Sequence, residues 1–212
     1  MGRDLACVRG ERLVFSGLSF RLEPGQALVV SGANGSGKSS LLRLMAGLVP
    51  PETGWLGWGE VGLDADPDAH RALTTYLGHL DAVKLAFTAG ENLRFWLAYA
   101  GREANPSALA AALDATGLSH LIDMPARFLS QGQRRRLALS RILASGTRLW
   151  LLDEPTNGLD AASVAAIEAV LARHRNGGGM VAAALHGGLA LPGALRLDLA
   201  SRPPPGPSAG GP

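Results

Sequence analysis

Apolar positions gather into three unbroken runs of strand length: Ala27–Val30, Leu149–Leu152 and Met180–Leu185. A run with no polar interruption predicts a strand buried on both faces, as in a parallel sheet. Between the runs the spacing turns helical. Ser40–Met45 carries apolar residues at i, i+3 and i+4, and Gly47 stops it. Glu91–Ala100, Pro106–Ala115 and the Ala-rich stretch Ala161–Arg175 read the same way, the last closed by three glycines at 177–179. Residues 1–30 read as short strands, with Leu13–Leu22 partly alternating and Glu23-Pro24-Gly25 as a turn. Pro50–Gly54 is a second break, and residues of about 82–145 are expected to be helical. Ser201–Pro212 is rich in Pro and Gly and is expected to be a disordered tail. Alternating strand and helix signals over residues 1–200 predict one α/β domain.

The first buried strand runs straight into Gly32-Ala33-Asn34-Gly35-Ser36-Gly37-Lys38-Ser39, which fits G-x-x-x-x-G-K-[ST] and opens a helix. Glycines let the backbone curl so that successive N–H groups converge on phosphate, and the helix N-terminus adds positive dipole. Gly32 to Ser40 are therefore expected to hold a nucleotide's phosphates. Lys38 is placed to reach the terminal ones, and the Ser39 hydroxyl to ligate Mg²⁺.

The second buried strand ends in Asp153-Glu154. Open α/β sheets bind ligands beyond the carboxyl ends of their strands. Beside a phosphate loop, Asp153 is the expected second Mg²⁺ ligand, and Glu154 is placed to polarise a water toward the γ-phosphate.

Leu129-Ser130-Gln131-Gly132-Gln133, followed by Arg134-Arg135-Arg136, resembles the L-S-G-G-Q signature of ATP-binding cassette (ABC) ATPases, with Gln131 in the variable middle place. Asn157-Gly158-Leu159-Asp160 is similar to the D-loop of that family, and His186 to its switch histidine. The ordered set spans residues 32–186. The resemblance implies an α/β fold with a P-loop NTPase (RecA-like) core and a mostly parallel sheet. An antiparallel β subdomain and an inserted helical subdomain over about 82–145 complete it. It further implies ATP hydrolysis with Mg²⁺ by a head-to-tail dimer of two copies. Ser130, Gln131, Gly132 and Gln133 of one copy would cap the ATP of the other, and His186 would assist Glu154. The signature also reads as a plain helix cap with Ser130 as N-cap. The two readings are compatible, and Arg134–Arg136 is expected to form the polar face of the signature helix.

Two places depart from the family pattern. The glutamine that precedes the helical subdomain is replaced: in Gly78-His79-Leu80-Asp81 the matching residue is Leu80. Leucine neither ligates a metal nor bonds water. His79 and Asp81 are the neighbours able to do so, and a cassette that binds ATP but barely turns it over is the other reading. The aromatic that stacks on adenine is also missing, and Arg9 falls near that place; a guanidinium plane stacks on π-systems too. Phe15 is the aromatic alternative, though it reads as core.

Composition narrows the class. Net charge is +2 and no basic tail is present, so nucleic acid is not an expected partner. Cys7 is the only cysteine, which excludes an internal disulfide and fits a reducing compartment. The N-terminus reads as no signal peptide, and no run reaches the length of a membrane span. Transport would therefore require separate membrane subunits. Glu11–Phe20, Tyr76–His79, Glu91–Trp96 and Leu191–Leu199 resemble the ATP-binding subunits of the bacterial haem exporter of cytochrome c biogenesis. That resemblance implies integral membrane permease subunits as partners and a peripheral place on the cytoplasmic face of the inner membrane. The alternatives are the ATPase of another ABC exporter and a soluble ABC ATPase. The five histidines form no axial haem pair that the sequence supports.

Overall fold

The computed structural model describes residues 1–185 and 187–199. In chain order the elements are β1 (Gly2–Arg9), β2 (Arg12–Phe20), β3 (Ala27–Ser31), α1 (Lys38–Met45), β4 (Thr53–Trp58), β5 (Val61–Gly62), α2 (Pro67–Leu73) and β6 (Thr74–Leu77). They continue with α3 (Ala89–Tyr99), α4 (Pro106–Ala115), α5 (Gln131–Ala144), β7 (Leu149–Asp153), α6 (Ala161–Asn176), β8 (Met180–Ala184) and β9 (Leu195–Asp198). The expected disordered tail and His186 lie outside the described residues.

Two sheets organise the chain. One is antiparallel in the order β2-β1-β4-β5; the other has the order β6-β7-β8-β3-β9, and every pair in it is parallel. All residues of β7 and β8 are buried, which is why their sequences carry no alternation. The edge strands β6 and β9 are partly exposed, so Thr74-Thr75 and Arg196 sit in strands that the apolar pattern does not mark.

Three apolar clusters hold the layers together. The first joins the antiparallel sheet and α1 to one face of the parallel sheet, through Leu5, Phe15, Leu41, Leu44, Val30 and Leu151. The second fills the other face under α5 and α6, with Leu139, Ile142, Trp150, Ile167 and Leu171. The third packs α3 and α4 against the start of α5, with Leu93, Leu97, Leu109, Leu113 and Leu137. Helix α5 therefore belongs to two clusters: Leu137 faces the helical layer while Leu139 and Ile142 face the sheet.

Helix α3 starts at Ala89, so the helical stretch expected from residue 82 begins later. Thr88 closes a capping box with Glu91. The segment before it is irregular and is stapled by the buried Asn92 amide. The Lys84 N–H donates to Asn92 Oδ1 at 2.8 Å, and Asn92 Nδ2 donates to the carbonyls of Lys84 and Thr88 at 3.0 Å.

Candidate active site

Parallel topology brings the ends of β3, β6 and β7 to one edge of the sheet. The loop from Gly32 to Gly37 leaves β3 and feeds α1 at Lys38. Gly32, Gly35 and Gly37 have φ of 140°, 78° and 103°, values that L side chains rarely adopt. At Gly37 a Cβ would also lie 2.3 Å from Val14 Cγ1, so the loop packs directly on β2. Lys38 is 6% exposed, and its ammonium folds back over the loop, donating to the carbonyls of Gly32 at 2.8 Å and Ala33 at 3.0 Å. The arrangement pins the cation at the mouth of the loop with one N–H to spare. The Ser36 hydroxyl is buried with no hydrogen-bond partner among the described residues.

An open cleft of about 440 Å³ lies over this loop. Asn34, Gly35, Gly37, Lys38, Ser39 and Ser40 line it together with Arg9, Arg12, His79 and Glu154. Arg9 lines the cleft, while Phe15 is 3% exposed and belongs to the core. A larger groove of about 720 Å³ lies at the opposite, N-terminal edge of the sheet, beside Trp150, His174 and Met180, and shares no residue with the loop. The smaller cleft is the one that brings the Lys38 ammonium and the Glu154 carboxylate together.

Asp153 ends β7 and is 2% exposed. Tyr76 Oη donates to its Oδ2 at 3.4 Å, and burial, then the nearby carboxylate, push the phenol pKa up. The buried carboxylate and the Ser39 hydroxyl are hard oxygen donors. Among the described residues no group of three or more His, Cys, Asp and Glu could hold a metal alone. Such oxygen donors suit a hard divalent cation.

Glu154 has φ of +50°, a left-handed backbone uncommon for a non-glycine residue. Three bonds fix its main chain there, one of them from the Asn157 N–H to its carbonyl at 3.2 Å. Its N–H donates to the Ala184 carbonyl at 3.0 Å, and Arg135 donates to its carbonyl at 2.7 Å. Arg135 is the residue that sequence reasoning misplaced. It lies on α5 and is 4% exposed, so it is no part of a solvated polar face. Its Nε donates to Pro155 O at 3.1 Å, one terminal nitrogen to Gly78 O at 3.0 Å and Asp81 Oδ1 at 2.9 Å, and the other to the carbonyls of Asp153 and Glu154. All five N–H groups of the guanidinium are used. Nearby Arg141 is half-buried, its guanidinium 4.7 Å from the centre of the Trp96 ring, and its pKa is lowered to about 10 by burial of the guanidinium.

The signature caps α5. Ser130 Oγ accepts from the Gln133 N–H at 3.2 Å, and Gln133 Oε1 accepts from the Ser130 N–H at 2.8 Å. Gln131 is exposed, and the first turn carries no acid, so the positive end of the helix dipole stands uncompensated. Gly132 lies against Gly158, where a Cβ would meet the carbonyl at 3.4 Å. None of Ser130, Gln131, Gly132 and Gln133 lines the cleft over the phosphate loop of the same chain. Asp160 caps α6 by accepting from the Ser163 N–H at 2.8 Å, and the Ser163 hydroxyl, then that backbone bond, hold its carboxyl below the usual range.

Comparisons with known proteins agree with this geometry. Residues 15–157 match the family model for ABC transporters. The chain is 52% identical to the cytochrome c biogenesis ATP-binding export protein CcmA of Rhodospirillum rubrum, over 93% of this chain and 84% of that one. It is 52% identical to the corresponding protein of Paramagnetospirillum magneticum, over 93% and 92%. Among solved structures, a Pyrococcus furiosus protein described as an ABC transporter ATP-binding protein superposes with a TM-score of 0.81 at 20% identity, covering 93% of this chain and 96% of that one. A dimeric ATP-binding cassette in a post-hydrolysis state with ADP and phosphate superposes at 0.78 with 22% identity, over 88% and 87%. The chain belongs to the ABC transporter family of ATP-hydrolysing subunits and, within it, to the cytochrome c biogenesis ATP-binding export proteins.

Proposed function

We propose that two copies of this chain, docked on integral membrane permease subunits at the cytoplasmic face of the bacterial inner membrane, drive haem export for cytochrome c maturation. The observation that carries the reading is that Lys38, Ser39 and Glu154 line one cleft, with Asp153 ending β7 next to Glu154, in a chain whose relatives are named as export proteins of that process.

The chemistry follows from the residues. The loop Gly32–Ser39 cradles the phosphates, with Lys38 on the terminal ones. Ser39 and Asp153 are the groups that would hold Mg²⁺, which spreads the charge developing on the phosphates. Glu154, its backbone fixed on both sides, accepts a hydrogen bond from the attacking water and aims it at the γ-phosphate. His186 is the residue proposed to assist it. The N-terminus of α5, capped by Ser130 and Gln133 and without an acid in its first turn, is suited to an anion, which supports capping of a second copy's ATP by Ser130 and Gly132. Arg9 offers its guanidinium plane to adenine. For the membrane subunits the chain offers an aromatic surface on α3: Phe95 lies 5.8 Å from Phe87 and 5.3 Å from Trp96 between ring centres, and Tyr99 is 78% exposed beside them. Among the described residues no helix is long and apolar enough to cross a membrane.

Two measurements test this. In the Glu154→Gln variant, ATP but not ADP should double the mass seen by light scattering; a monomer under both nucleotides contradicts the dimer. Coexpressed with the membrane subunits, the chain should sediment with membranes, and Tyr99→Asp should release it. Equal recovery in the soluble fraction with and without those subunits contradicts the docking.

A further inference from the structure

We infer that His79 is the residue with which this chain reads the third phosphate of its nucleotide, in place of the side chain at Leu80. The inference rests on the ATPase reading and concerns the segment that leaves β6 toward the cleft.

Three consecutive side chains of that segment have different fates. Leu80 is 81% exposed and does not line the cleft. Asp81 is committed elsewhere, because its Oδ1 accepts from Arg135 at 2.9 Å in an ion pair whose arginine side chain is only 5% exposed. His79 lines the same cleft as Lys38, Ser39 and Glu154. The backbone before and the side chain after it are held by one guanidinium, through Gly78 O at 3.0 Å and Asp81. The other terminal nitrogen of that guanidinium holds the Glu154 carbonyl at 2.7 Å. The segment that carries His79 is therefore tied through Arg135 to the main chain of Glu154, and the exposed His79 side chain stands on the wall of the cleft.

The chemistry suits the place. A neutral imidazole offers one N–H donor and one acceptor nitrogen, and its protonated form offers two donors. Either form donates to a γ-phosphate oxygen. ADP lacks that oxygen, so the bond discriminates between the two nucleotides. A leucine at position 80 then does no harm, since the polar contact is made one residue earlier.

The test measures ATP and ADP affinity of the full chain with Mg²⁺, in a Glu154→Gln background that stops turnover, for His79→Ala, His79→Gln, Leu80→Ala and Leu80→Gln. A hydrogen bond to a charged group predicts that His79→Ala weakens ATP about tenfold while ADP affinity stays unchanged. His79→Gln, which keeps an N–H donor, should recover most of the loss, and both Leu80 variants should match the parent. With Glu154 intact, His79→Ala should lower kcat. Equal weakening of ATP and ADP, no weakening of either, or a gain in ATP affinity confined to Leu80→Gln overturns the proposal. Absence of turnover in the unaltered chain would contradict the ATPase reading alone, because the affinity ratio is read without hydrolysis.

Discussion

Arg135 on the signature helix donates to the main-chain carbonyl of Glu154 at 2.7 Å. The same side chain holds Asp153, Pro155, Gly78 and Asp81. A helix that belongs to the helical layer is thereby fastened to the acidic end of β7 and to the segment carrying His79. This guanidinium is a polar tie between α5 and the main chain of Glu154, beside the apolar packing of Leu139 and Ile142 on the sheet.

Replacement of Arg135 by lysine keeps the charge but supplies three donors on a single nitrogen where five splayed donors are used. Buried acceptors left unpaired cost about 1–3 kcal/mol each. Arg135→Lys should therefore lower unfolding free energy by at least about 2 kcal/mol. It should also reduce kcat more than it raises KM for ATP, since Lys38 and the loop are untouched. Chemical denaturation and steady-state kinetics check both; a variant with parental kcat contradicts the coupling.

Gly37→Ala tests the phosphate loop from its back. The new methyl would meet Val14 Cγ1 at 2.3 Å on a backbone with φ of 103°. Loop and β2 would have to part, and the Lys38 geometry with them. ATP affinity should fall at least tenfold in calorimetry while the chain stays folded. Gly35→Ala, whose Cβ meets nothing within 4 Å but whose φ is +78°, should fall by less.

Acid should destabilise the fold through His70. The Trp58 indole N–H donates to its Nδ1 at 2.8 Å, and its Nε2 lies 2.8 Å from the Met45 carbonyl, so the buried ring is neutral with the proton on Nε2. Burial lowers its pKa below the ordinary 6.5, and burial does the same to His174, stacked on Trp150 at 3.7 Å. The unfolded chain then binds protons that the folded chain refuses. The stability contribution is whole above the unfolded pKa and is lost as pH falls below it toward the lowered folded values. Tm should be lower at pH 5.5 than at pH 7.5, and His70→Phe should flatten part of that slope. A Tm that rises on acidification contradicts the assignment.

Much of this was legible in the sequence because the signals are local. The phosphate loop is set by glycines at fixed spacing, the strands around it by unbroken apolar runs, and α4 and α6 by Asn105-Pro106 and Asp160 at their starts. What the sequence hid is set by distance. Arg135 reads as one of three arginines on a polar helix face, because four of its five acceptors are main-chain carbonyls 18 to 57 residues away, and carbonyls carry no sequence identity. Asn92 reads as an ordinary polar helical residue for the same reason. β6 and β9 escaped because edge strands need not be apolar. The difference between His79 and Leu80 is one of orientation, which alternation along an irregular segment cannot supply.

The most direct test of the account is ATP hydrolysis by the full chain beside its Glu154→Gln and Lys38→Ala variants, with ATP binding measured in parallel. A positioned base is worth about 10²–10⁴ in rate, so Glu154→Gln should lose at least about a hundredfold in turnover while binding ATP as the parent does. Lys38→Ala should lose productive binding and turnover together. Parental turnover in Glu154→Gln would show that the carboxylate at the end of β7 does not direct the water, and would contradict the site as assigned.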